Sequence, residues 1–517
     1  MTISKVCILA AGTGSRLGSL TNEINKCLLP LGNSTALTLI IEQFPRDSEI
    51  IIAVGYKSEL VRDYCAAVHG NRNIICVDVD PYEGVGAGPG YSLKCCEPFL
   101  KSPFYLTTGD CLVTEEIPIL EQSWIGVCDN DYSGLYSTAR VDEKGIVKAF
   151  QNKSKNDYEQ AFIGLAYIHN PDVFWSELEL KKGSDKEYEF VSAWYSPEKY
   201  NPLLAIPFTW MDTGCAKGYE QTKDYFTAEP LGMKKRIMEL TVKVNNILCK
   251  LCPDTTKNIN RIIRGNLLYP HTPRLIYGGE YACAWEWIEG STLYDCDSVD
   301  VYFKLLDWCQ KNIWSDIYEL PLFDKDCQLF YHDKTIQRYQ MYIDKNEDNH
   351  KFINDQSCHS VGHYLHCMPW EKFTKGIAVL FHGDLQYQNV IYDKYGNYKL
   401  IDWRESFGTR NDYGDLYYDL AKLYGGVLLP YSRINDVSET FLENSDGCTY
   451  IIDRSKALSD LQPMFEEWVV NQGYDLERVK LLTALVWLNM APLHVEPVDV
   501  FLFTHAQWML ASLFGKT

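Results

Sequence analysis

The chain reads as two consecutive α/β units. The first has a mixed, mainly parallel sheet with helices on both faces, and the second a small β-rich lobe followed by a large helical lobe. Three observations predict this. Short apolar runs alternate with segments of helical spacing from Lys5 to about residue 115, the pattern of parallel strands joined by crossover helices. That rhythm breaks over 226–235 (FTAEPLGMKK) at Pro230 and Gly232, which are turn and breaker residues. A chain of 517 residues is also longer than one core usually organises. The predicted division is therefore a first domain over 1–228 and a second over 235–517, with a small lobe at about 240–290 and a helical lobe at about 291–517.

Each element follows from its pattern. Lys5–Ala10 is a buried strand, and Ala11-Gly12-Thr13-Gly14 is the turn after it. Thr35–Phe44 is apolar at helical spacing, Glu49–Val54 is a continuous apolar strand, Leu60–Val68 a helix and Ile74–Val77 a strand. Gly134–Thr138 and Ala161–Tyr167 are further strand-like runs. In the second half, strands are predicted at Asn246–Leu251, Arg274–Tyr277 and Tyr281–Ile288, with a helix at Lys257–Leu268 between the first two. After Gly290 the pattern is helical, with one β-rich interruption over Ala378–Asp402.

Composition narrows the function classes. The net charge of -20, shared about equally by the two halves, argues against nucleic acid and anionic membrane as partners. It leaves room for small anions held by a few placed cations. The apolar run Val6–Ala11 is too short for a secretion signal, and no run reaches the ~18 residues of a membrane span. The 18 cysteines lie scattered among apolar neighbours, as free thiols do in a reducing cytoplasm.

The turn after the first strand carries chemistry. Small residues at Ala11, Gly12 and Gly14 let backbone N–H groups approach phosphate oxygens, and Arg16 adds a planar fork suited to phosphate. Leu9-Ala10-Ala11-Gly12-Thr13-Gly14-Ser15-Arg16-Leu17, followed by Asn25-Lys26-Cys27-Leu28-Leu29-Pro30, resembles the signature of the sugar-nucleotide pyrophosphorylase superfamily, with Asn25 where that family usually has Pro. The resemblance implies a Rossmann-like nucleotidyltransferase. In it a sugar or alcohol phosphate attacks the α-phosphate of a nucleoside triphosphate, with Mg²⁺ held by two carboxylates. Asp110, after the apolar strand Leu106–Thr108, and Asp212, in Trp210-Met211-Asp212-Thr213-Gly214, match those positions. Lys153 matches the lysine that reaches the acceptor phosphate, with Lys148 as the alternative. The glycine-rich loop 84–92, including Gly88, falls where the family reads the base; a plain surface hairpin is the other reading.

The second half carries Phe381-His382-Gly383-Asp384-Leu385-Gln386-Tyr387-Gln388-Asn389 and then Lys399-Leu400-Ile401-Asp402-Trp403. The spacing suits an Asp beside an accepting hydroxyl, with an Asn and a later Asp on metal. It resembles the aminoglycoside phosphotransferase and choline kinase family, a protein-kinase-like two-lobed fold, here with a reduced small lobe. The resemblance gives Asp384 the hydroxyl, Asn389 and Asp402 the Mg²⁺, and Lys250 the ATP phosphates; a solvent-facing strand lysine is the other reading of Lys250. The acids of Gly414–Leu423 are expected to brace a helix.

Together the resemblances imply a bifunctional enzyme of capsule or lipopolysaccharide precursor synthesis. ATP phosphorylates a small polyol or sugar, and CTP, or another NTP, then activates the phosphate. Choline as the alcohol, and a kinase-like module that only binds, stay open as alternatives. Cys249-x-x-Cys252 reads as core, and the set Cys358, His359, His363, His366 and Cys367 as a weak metal candidate. The oligomeric state is not legible.

Overall fold

The computed structural model describes residues 4–129, 134, 136–153, 158–178, 188–226, 239–346, 350–443 and 447–515. At its centre lies β1 (Lys5–Leu9), paired in parallel with β2 (Glu49–Val54) on one side and β4 (Phe104–Thr108) on the other. β2 pairs in parallel with β3 (Asn73–Asp78). Successive side chains of a strand point to opposite faces, and the core divides accordingly. Val6, Ile8, Ile50 and Ile52 pack with Leu37 and Ile40 of α1 (Ala36–Glu42) and Leu60 and Val61 of α2 (Ser58–His69). Cys7, Leu9, Ile51 and Ala53 pack with Leu93 and Cys96 of α3 (Pro89–Cys96). Thr35 caps α1, its hydroxyl accepting from the Thr38 amide.

Past β4 the sheet changes character. β6 (Gln160–Ile168) runs antiparallel to β4, to Trp124–Asp129 and to Thr138–Val141, which itself forms a hairpin with Val147–Gln151. The sheet is thus evenly mixed rather than mainly parallel. Leu204–Pro207 pairs in parallel with Trp124–Asp129, while the other later pairs are antiparallel and need no crossover helices between them. Of the strand expected at Gly134–Thr138, only Thr138 lies in a strand, and residue 135 is outside the described residues. Two short strands, β5 (Cys111–Val113) and β7 (Trp210–Asp212), pair antiparallel beside the main sheet.

The compact units do not divide at 228–235, a segment that lies within 227–238, outside the described residues. The first unit comprises 1–258 and 276–287, and the second 259–275 and 288–517. The physical reason is burial. The small sheet runs in the order β8 (Leu240–Val244), β9 (Ile247–Leu251), β11 (Ala282–Glu286), β10 (Leu275–Gly278). Its apolar residues Leu240, Val242, Val244, Leu251, Ala282 and Ala284 join the same core as Leu60 and Tyr64 of α2. Asp63 of α2 ties it down by accepting from Tyr277 Oη at 2.9 Å, Tyr281 N at 2.7 Å and Ala282 N at 3.2 Å. The Lys243 amide donates to Asn33 O at 2.9 Å. α4 (Thr255–Leu268) connects β9 to β10.

The second unit is mainly helical. Its helices include α5 (Lys334–Ile343), α6 (Leu416–Leu428), α7 (Leu476–Met490) and α8 (Val498–Phe514), with α7 packed against both α6 and α8. The β-rich interruption takes the form of short strands: Ala378–Val379 against Gly414–Asp415, and the hairpin Val390–Tyr392 with Tyr398–Leu400. Among the described residues no helix is long and apolar enough to cross a membrane. All 18 cysteines are free thiols. Cys367 Sγ lies 3.8 Å from His363 Nε2, but no three His, Cys, Asp or Glu among the described residues are grouped to hold a metal.

Candidate functional site

In the first unit the glycine turn leaves β1 at the sheet's carboxyl edge. A Cβ at Gly12 would meet nothing within 4 Å, so the backbone is open on that side, and Gly14 adopts φ +71. Ala11 is buried, with its carbonyl accepting from the Tyr56 amide at 2.9 Å. Asn25, in place of the usual Pro, is fully buried and fully used. Its Nδ2 donates to Ala10 O at 2.9 Å and Tyr56 O at 2.7 Å, and its Oδ1 accepts from Cys27 N at 3.0 Å. The departure therefore pins the segment that carries Lys26 to the glycine turn.

Lys26 Nζ lies 2.6 Å from Asp110 Oδ2. Burial would raise the Asp110 carboxyl, but the Lys26 ammonium holds it below the ordinary carboxylate range. Asp212 arrives from a hundred residues away through the β5–β7 ladder, which sets it opposite Cys111, the neighbour of Asp110. Thr213 N donates to Asp110 O at 3.1 Å. Asp212 Oδ1 accepts from Gly214 N at 2.7 Å, and Oδ2 from Tyr136 Oη at 3.1 Å. Gly214 marks the point of convergence. A Cβ there would collide with Asp110 Oδ2 and lie 3.0 Å from Asp212 Oδ1 and 3.2 Å from Arg16 Nη2. Arg16, Lys26, Asp110 and Asp212 thus gather, and their carboxylate oxygens are the hard donors Mg²⁺ takes.

The contacts that gather these four do not include Lys153. Its half-exposed ammonium lies 3.4 Å from Glu189 Oε1, while the alternative Lys148 pairs with Asp142 at 2.9 Å. Gly88, at φ +119, precedes α3. Its loop closes against the same segment as Lys153: Gly90 N donates to Tyr188 O and Tyr188 N to Ala87 O, both at 2.7 Å. Lys153 and the candidate base-reading loop therefore border one strip of chain, 188–189.

In the second unit the catalytic-loop candidate is held from behind. The His382 and Gly383 amides donate to Asp419 at 2.7 and 2.6 Å, and Trp314 Nε1 does so at 3.1 Å. Burial pushes the Asp419 carboxyl up to about 6. Asp415 accepts from Tyr331 Oη at 2.7 Å and pairs with Arg478 at 2.8 Å. Both acids brace the fold. Asn389 Nδ2 donates to Asp384 O at 2.9 Å and Oδ2 at 3.2 Å. Ile401 N donates to Asn389 O at 2.9 Å, which puts exposed Asp402, at φ +56, beside Asn389. Lys250 sits mid-strand in β9, opposite Cys283 of β11, and belongs to the first compact unit. α4 carries no acidic residue.

Lys422, on α6, is a residue that the motif reading misses. Its ammonium lies 2.6 Å from Asp384 Oδ1, with its side chain 5% exposed. Burial would raise Asp384, yet the Lys422 ammonium keeps it below its ordinary value. The signal was present: Asp419 and Lys422 are buried charges three apart in an otherwise apolar helix.

No family model matches the chain. It is 28% identical over 190 residues to the D-glycero-alpha-D-manno-heptose 1-phosphate guanylyltransferase of Campylobacter jejuni, covering 35% of this chain and 82% of that protein. It is 23% identical over 246 residues to a probable glucose-1-phosphate cytidylyltransferase of Bacillus subtilis, covering 40% and 96%. A solved UDP-glucose pyrophosphorylase complexed with UDP-glucose aligns over 44% of this chain and 98% of its own, at a TM-score of 0.38 and 21% identity. The amino-terminal region, about 40% of the chain, matches sugar-nucleotide nucleotidyltransferases.

Proposed function

We propose that the first unit joins a sugar or polyol phosphate to a nucleoside triphosphate, CTP by preference, and that the second phosphorylates a small alcohol with ATP to supply that phosphate or its precursor. The observation that carries the first reading is the convergence of Arg16, Lys26, Asp110 and Asp212 around Gly214. Both reactants are anionic, and the cations offset their repulsion. A phosphate oxygen of the acceptor attacks the α-phosphorus, the bond to the β-phosphate breaks, and pyrophosphate leaves. Lys26 and Arg16 face the charge that gathers there, and Lys153 faces the acceptor. Gly12, Gly14 and Gly88 give the nucleotide access to backbone. Asp110 and Asp212 fit Mg²⁺, which when bound would screen the triphosphate. The relatives act with different bases, guanylyl in one and cytidylyl in the other, so CTP rests on the pairing of a nucleotidyltransferase with a kinase-like unit.

The second activity rests on Asp384, which would orient the hydroxyl, with Asn389 and Asp402 fit to hold Mg²⁺; Lys250, to which the kinase resemblance gives the ATP phosphates, belongs to the first compact unit. The product belongs to capsular or lipopolysaccharide precursor synthesis, in a cytoplasm whose reducing state suits the free thiols. The reduced small lobe, whose four-stranded sheet packs into the core of the first unit, favours a second reading, a module that binds without transfer.

Incubating the full chain with each NTP, Mg²⁺ and a panel of free and phosphorylated alcohols tests both halves. Pyrophosphate release and phosphorus NMR report base, acceptor and order. ATP binding without ADP formation would favour the module.

A further inference from the structure

Beside Asp384 the second unit gathers cations, of which Lys334 and Arg404 have no ion pair among the described residues. Lys334 of α5 places its ammonium 3.2 Å from the Phe330 ring centroid and 5.5 Å from that of Tyr418. Arg404 lies over Phe330 as well, at 4.9 Å. A Cβ at Gly383 would strike Arg404 Cβ, so Arg404 abuts the residue before Asp384. Tyr418 and Lys422 stand one turn apart on α6, on one face, and Lys422 lies 4.7 Å from the Tyr431 centroid while it pairs with Asp384. Arg338 follows Lys334 by one turn of α5. No ion pair to a carboxylate is recorded for Lys334 among the described residues. Burial first, and then Arg404, Arg338 and Lys422, push its ammonium well below its usual range.

Gathering like charges over apolar rings is costly unless a ligand answers them. Asp384 pairs with Lys422, and no ion pair among the described residues answers Lys334 or Arg404. The pattern also opposes a quaternary ammonium acceptor, since the faces of Phe330 and Tyr418 that could cage one are already met by cations.

We propose that the alcohol presented to Asp384 carries an anionic group, a phosphate or a carboxylate, which Lys334 and Arg404 hold. This rests on the kinase reading of the second unit and names its substrate class. Phosphate and carboxylate share the chemistry that two cations recognise, so the test must separate them.

The experiment uses the full chain with Lys26→Ala, so that the phosphate site of the first unit does not contribute. Calorimetric binding and ADP release are read for matched sets: glycerol, glycerol 3-phosphate and glycerate; glucose, glucose 6-phosphate and gluconate. One anionic member binds at least about 10-fold more tightly than its neutral parent, and which one identifies the group. Lys334→Met removes that preference and leaves the KM for ATP in place. Lys334→Arg, which keeps the charge, restores it and guards against a folding defect. Asp384→Asn abolishes ADP release but keeps the binding. Tight anion binding without ADP from any acceptor would overturn the kinase reading and leave the anion site standing. Equal or tighter binding of the neutral members, no anion binding across both sets, or a Lys334→Met effect on ATP instead of the alcohol, would each overturn the proposal.

Discussion

Replacing Gly214 by Ala tests the first site with a single methyl group. The new Cβ would collide with Asp110 Oδ2 and crowd Asp212 Oδ1 at 3.0 Å. Neither carboxylate can yield freely. Asp110 is held by Lys26 at 2.6 Å, and Asp212 accepts from the Gly214 amide itself at 2.7 Å. One or both must move by something on the order of 1 Å, a displacement that costs about 100-fold when reacting groups are misplaced. That corresponds to about 2.7 kcal/mol of barrier. Gly214 does not have a positive φ, so Ala adds no backbone strain, and overpacking should cost folding no more than about 1–3 kcal/mol. The assay is pyrophosphate release with saturating NTP and sugar 1-phosphate, beside a thermal melt. A variant within about threefold of wild type would refute the reasoning, because the two carboxylates would then not need to converge.

Four other outcomes follow. Gly12→Ala meets no protein atom, so it should leave the melting temperature unchanged and raise the KM for NTP, read by initial rates. Lys422→Met removes the cation that holds Asp384 down, so the acid limb of the pH–rate profile for ADP release should move to higher pH. A chain ended at residue 228 loses the packing of Val242, Val244, Leu251 and Ala284, and should bind a hydrophobic dye far more strongly than the full chain. Burial lowers His69 to about 4 and His505 to about 3. Each therefore takes up a proton more readily when unfolded, so the stability they support is complete above their ordinary pKa of 6.5 and declines as pH falls toward those values. The loss approaches about 3 kcal/mol for His69 by about pH 4, and urea unfolding at neutral pH and about pH 4.5 should show the fall, with His505→Gln reducing it.

Much of this was written in the local pattern. The two-residue alternation of Val6, Cys7, Ile8 and Leu9 encodes a strand with both faces buried, and the structure gives each pair its own core. The glycine turn, Lys26, Asp110 and Asp212 were legible because their neighbours form recognisable runs. What stayed hidden depends on long-range contact. Nothing near residue 240 announces that its strands belong to the core of the first unit, since that follows from Asp63 and the apolar face of α2, some 180 residues earlier. Gly214 reads as an ordinary turn until the ladder of β5 and β7 sets it between two carboxylates. Lys334 looks like a surface lysine on a helix, and only the aromatic surroundings of the second unit show otherwise.

The central claim is nucleotidyl transfer at the paired aspartates, and phosphorus NMR of the wild-type chain beside Asp110→Asn reaches it most directly. With Mg²⁺, a sugar 1-phosphate and the four NTPs in turn, the wild type should yield a nucleoside diphosphate sugar and pyrophosphate in equal amounts. Asp110→Asn should yield neither while keeping its native melt. Equal product from the variant, or none from the wild type with any NTP and acceptor, would contradict the account.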